Sequence, residues 1–156
     1  MIWEQSLKQC LAQEKQKKED EKLNDTTKTI IITIVFGIIA FALTPILWPF
    51  NQGMMAPAEL VPYFMLMSII EALVFGFGIA FIALNWKNAM NSNAPMAKGR
   101  FIAIAWLLIS WWPHDNFHRV NGENMLGLLY IEYAFHLTLI IAGVYLANAF
   151  WKMMKK

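Results

Sequence analysis

Charge is what this 156-residue sequence has least of: 15% of its residues are Asp, Glu, Lys or Arg, where an ordinary soluble domain has about 25%. With 58% of residues hydrophobic, there are too few charges to cover a water-facing exterior. A formal net charge of +2 excludes the dense basic surface that a nucleic-acid partner would need. The single cysteine, Cys10, excludes an intrachain disulfide and leaves the redox compartment unread. Also missing are a glycine-rich phosphate loop, a Ser/His/Asp arrangement and any internal repeat. The length allows one domain.

What charge there is lies mostly at the start. Residues 1–29 hold six Lys and six acidic residues, contain no apolar run long enough to span, and do not read as a signal peptide. Ile2, Trp3, Leu7 and Leu11 recur at helical spacing, while the stretch from Glu14 to Lys22 is rich in helix formers, so a solvated charged helix is expected here. Asp25, Thr26 and Thr27 are candidate N-caps for the first apolar helix. Four apolar segments come next, near 30–50, 61–84, 100–120 and 125–151, each close to the roughly 20 residues that cross about 30 Å of hydrocarbon. The expected fold is all-α: an integral membrane four-helix bundle over 30–151, preceded by the charged cytoplasmic tail and followed by a basic C-terminus, 152–156. The third segment is irregular, because its apolar character stops at Trp112 and Pro113 removes the amide that the Ile109 carbonyl needs, which should bend the helix.

Basic residues set the expected orientation. The tail, the 85–100 region with Lys87, Lys98 and Arg100, and the terminal Lys152, Lys155 and Lys156 belong inside, with Arg119 alone in the loop after the third span. That arrangement makes a multi-pass cell-membrane protein with both termini cytoplasmic, Asn51 and Asn121 facing out, and Trp48, Trp86 and Trp151 near span ends.

After Lys28 only five carboxylates remain, and all three histidines fall between 114 and 136. Glu71, Asp115 and Glu132 lie in or at the rim of the segments, where ionisable groups are costly and mark function by default. His114 and His118 are i and i+4, with Asp115 on the same arc, and Glu132 and His136 repeat that spacing on the last helix. At 1.5 Å per residue, Glu71 lies roughly 15 Å from the outer end, His114 about 9 Å, Glu132 about 10 Å and His136 about 16 Å. Potential ligands from three helices therefore share the outer half of the bilayer. Imidazole with carboxylate suits a transition metal, and the cation would neutralise charges that otherwise lack partners. The expected metal ligands are Glu71, His114, His118, Glu132 and His136, with Asp115 and Glu132 as catalytic carboxylates. Copper or zinc is expected before iron, since an outer site loads from outside. Trp111 and Trp112 would wall the site, with Tyr130 and Tyr133 as hydrogen-bond donors near Glu132. Gly76 and Gly78, with Gly127 and Gly143, are positions where helices can approach closely.

The run His114-Asp115-Asn116-Phe117-His118 resembles the HExxH motif of zinc hydrolases, with Asp at the Glu position and Glu132 as a possible third ligand. A carboxylate-and-histidine helical bundle is similar in kind to ferritin-like di-iron proteins, although the spacing here is Glu-x-x-x-His and occurs once. These features lead to three expected functions. The first is a metal-dependent membrane oxidoreductase, or the metal-carrying subunit of one. The second is an intramembrane zinc hydrolase with a carboxylate base. The third is a non-catalytic structural subunit of a larger membrane complex. The expected partners are lipids and either other membrane subunits or further copies of the chain.

Overall fold

The computed structural model describes residues 2–49, 58–121 and 125–155, with side chains over 9–49, 58–120, 129 and 132–155. Five α-helices account for nearly all of it, and there is no strand among the described residues: α1 Ile2–Leu47, α2 Val61–Asn91, α3 Ala97–Ile109, α4 Trp111–Asn121 and α5 Met125–Met154, with a 3₁₀ turn at Ala58–Leu60 ahead of α2. Three helices, α1, α2 and α5, are long and apolar enough to cross a membrane. Their outward side chains include Ile38, Ile46, Leu66, Ile140 and Val144, all exposed, an extent of exposed apolar surface that marks an interaction with a membrane or another chain.

The tail is not separate from the first span. Helix α1 runs unbroken for 46 residues, about 69 Å at 1.5 Å per residue. Its charged half is laced by pairs three and four residues apart: Lys18 to Glu14 at 2.7 Å, Gln16 to Asp20 at 3.1 Å and Lys28 to Asp25 at 3.4 Å. Thr26, Thr27 and Thr29 do not cap a new helix. Their hydroxyls donate instead to the carbonyls of Lys22, Leu23 and Asp25, the return bond available to a threonine when the helix continues through it. The side chains of Ile2, Trp3, Leu7 and Asn121, and residue Asn51, lie outside the described residues.

Glycine allows the closest helix contact. A Cβ on Gly76 would collide with the Thr33 carbonyl oxygen and stand 2.7 Å from the Gly37 amide nitrogen, so α1 and α2 meet backbone to backbone. Gly78, two residues on, receives Ile109 and Leu108 of α3. Gly143 has no neighbour where a Cβ would stand, and the side of Gly127 is not among those described.

The third apolar segment is two helices rather than one. Helix α3 has 13 residues, about 20 Å, and chain direction is kept across Ser110 by Ser110 N–H to Trp106 O at 3.1 Å and His114 N–H to Ser110 O at 3.2 Å. The interruption falls where Pro113 deprives the Ile109 carbonyl of its donor. Only α3 and α4 together reach the length of a span. Arg100 meets Met153, Trp106 Nε1 donates to Thr138 Oγ1 and His114 meets Glu132, so α3 and α4 run antiparallel to α5.

The two ends of the bundle differ. Lys18 and Lys22, with Glu21 and Asp25, border a cleft with Asn85 and Asn88, and Arg100 and Lys152 touch Met153 and Met96, which places these four basic residues at one end. At the other end Trp48 packs edge-on against Trp112, at 5.0 Å between ring centroids, and against Phe117 at 6.0 Å. Trp112 also donates to Thr44 Oγ1 at 3.0 Å. Helix α4, with its histidines, is thereby fixed at the end away from the basic cluster.

Candidate metal centre

Helix α4 presents two polar faces. On one, His114 and His118 stand a turn apart and bring their Nε2 atoms to 3.2 Å. Both reach the same carboxylate oxygen on α5: His114 Nε2 lies 3.2 Å from Glu132 Oε1, and His118 Nε2 touches that atom as well. The second oxygen, Oε2, lies 2.9 Å from His136 Nδ1, one turn further along α5. Three imidazoles from two helices therefore converge on one carboxyl group. Donor atoms of His114, Glu132 and His136 all fall within 4.8 Å of one another.

Some of these separations are compatible with a metal. With bonds of about 2.0–2.1 Å from metal to nitrogen or oxygen, the corners of a tetrahedral site stand about 3.3 Å apart. The two 3.2 Å contacts of His114 fall at that edge and are equally hydrogen-bond distances, whereas the group as a whole spreads over up to 4.8 Å, so its side chains would have to draw in for one ion to bind them all. The His114 Nδ1 atom is buried with no hydrogen-bond partner among the described residues, so the ring's polar interactions there are made through Nε2. The ring is stacked on Phe135, with centroids 3.7 Å apart and planes 15° from parallel, and Trp111 stands edge-on to both. Trp111 does wall the cluster, whereas Trp112 turns away to α1. Tyr133 is exposed, and the side chain of Tyr130 is outside the described residues.

The other face of α4 carries a separate ionic cluster that takes two of the expected site residues. Arg119 donates to Asp115 Oδ2 at 2.8 Å and to Glu71 Oε2 at 3.1 Å, and its other terminal nitrogen donates to Ser68 Oγ at 2.7 Å. Asn116, almost fully buried, lies beneath with Oδ1 3.5 Å from Arg119. Glu71 is buried and faces α4, but it answers a guanidinium rather than His136. Asp115 likewise turns to Arg119. Sequence reasoning left Arg119 in a loop. It is a helical residue with its side chain mostly buried, and its i+4 spacing from Asp115 was the signal that could have found it.

Compared with protein-family models, with curated proteins and with solved structures, the chain has no match.

Proposed function

We propose that the protein is an integral membrane four-helix protein that binds a transition metal through His114, His118, Glu132 and His136. On this reading it is a metal-dependent oxidoreductase or the metal-carrying subunit of a membrane oxidoreductase complex. The observation that carries the proposal is the convergence of three imidazoles from α4 and α5 on the Glu132 carboxylate. Such a mixed nitrogen and oxygen donor set suits copper, zinc or iron, and a cation there neutralises a carboxylate that would otherwise lie in hydrocarbon with partial compensation. Taking the basic end of the bundle as cytoplasmic puts both termini inside a cell membrane and the donor set in the outer half. From there copper or zinc would load from outside. Glu132 is a ligand or bridge, and the hydrolase reading is the weaker one because Asp115, its expected base, is paired with Arg119.

Elemental analysis of protein extracted in mild detergent tests this directly. About one transition-metal ion per chain is expected, redox-active if the oxidoreductase reading is right and zinc if the hydrolase is. Metal-free protein that keeps its fold would leave a structural subunit or a proton relay. The relay has its own support, because His136, Glu132, His118 and His114 form an unbroken run of hydrogen-bonding contacts.

A further inference from the structure

The donor cluster is closed on one side and open on the other. His114 is 8% exposed, sealed by Phe135 and Trp111, whereas the His118 and His136 side chains are 38% and 55% exposed. His136 sits in a stripe along α5 with Tyr133, Leu137, Ile140 and Val144, all exposed, at spacings that put them on one side of the helix. Where α5 crosses a bilayer, that side meets acyl chains rather than water. From this juxtaposition, and resting on the metal-binding reading above, we propose that the metal site opens sideways into the bilayer. Its ligand is then a membrane-dissolved amphiphile whose oxygen-donor end reaches the metal between His118 and His136 while its apolar chain stays in the lipid along α5. A water-soluble substrate of the same donor chemistry would have to leave water to reach the site and would gain nothing from the stripe. An amphiphile keeps its chain in hydrocarbon both free and bound, and so is concentrated where the site opens.

A pair of hydroxamic acids separates the two routes, because hydroxamates ligate transition metals and differ here only in tail length. The protein, reconstituted in phosphatidylcholine nanodiscs and loaded with Co(II), is titrated with decanohydroxamic and with acetohydroxamic acid while the visible spectrum of the metal is followed. Metal content is measured on the same sample. If the site opens into lipid, the long-chain probe shifts the spectrum at a total concentration at least ~100-fold lower than the short one, because its eight additional methylenes remain buried in the complex. If the site opens to water, lipid sequesters the long probe and it acts equally or more weakly, which overturns the proposal. A spectrum that neither probe moves, in protein holding one metal per chain, means that no coordination position is open and overturns it too. Failure to hold metal removes the metal-binding reading itself and this inference with it.

Discussion

Glu132 is the residue around which the candidate centre is arranged, since each of its two carboxylate oxygens meets imidazole nitrogen. On the metal-binding reading His136 is the donor supplied by the same helix one turn later; its Nδ1 lies 2.9 Å from the Glu132 carbonyl oxygen as well as from Oε2, and because a carbonyl only accepts, Nδ1 carries the proton there and Nε2 is the atom left for a metal. On that reading, replacing it removes a ligand, not a support. His136→Ala is expected to weaken metal binding by more than the roughly 10–100-fold caused by losing a residue that only orients a ligand. Glu59→Gln, in the exposed 3₁₀ turn, should leave affinity unchanged. Competition against a chromophoric chelator would measure both, and equal affinity in the two variants would take His136 out of the donor set.

At the level of elements, α4 is short and broken from α3, so its rotation about its own axis must be set by what its faces grip. One face is held to α5 by the histidines and the other to α2 by Arg119 with Glu71 and Ser68. Removing one member of a buried ion pair typically costs about 3–5 kcal/mol, because the partner charge is left uncompensated. Arg119→Met is therefore expected to lower thermal stability in detergent markedly. Glu71→Gln, which retains an acceptor for Arg119, should lower it less. Because Glu71 belongs to this cluster and not to the histidines, Glu71→Gln should keep its metal stoichiometry. Loss of metal from that variant without loss of stability would return Glu71 to the ligand set.

For the whole molecule, the proposed topology rests on the long exposed apolar surfaces of α1, α2 and α5 and on the basic residues at one end, which the proposal takes as cytoplasmic. On a Cys10→Ser background, cysteines at positions 51 and 121 should react with an impermeant maleimide on intact cells, and cysteines at 98 and 156 only after lysis. The opposite pattern would turn the protein over and put the metal centre in the cytoplasmic half.

The sequence by itself determined the helical class, three of the four expected spans as helices long and apolar enough to cross a membrane, and the i, i+4 pairing of donors on α4 and α5. These depend on local composition and on the 3.6-residue period, which neighbours in space do not alter. A bend at Pro113 was legible too, since Pro113 acts on its own backbone, but the division of the segment into two helices was not. Tertiary structure alone decided which of the six polar residues meet. Glu71, Asp115 and the imidazoles share a depth in the bundle, but depth leaves open the rotation of each helix about its axis, and that rotation turns Glu71 and Asp115 to Arg119 while Glu132 takes the histidines. The continuity of α1 through the threonines was likewise settled by the helix as a whole, because a threonine can cap a helix or return its hydroxyl to the preceding turn, and its local sequence is compatible with both.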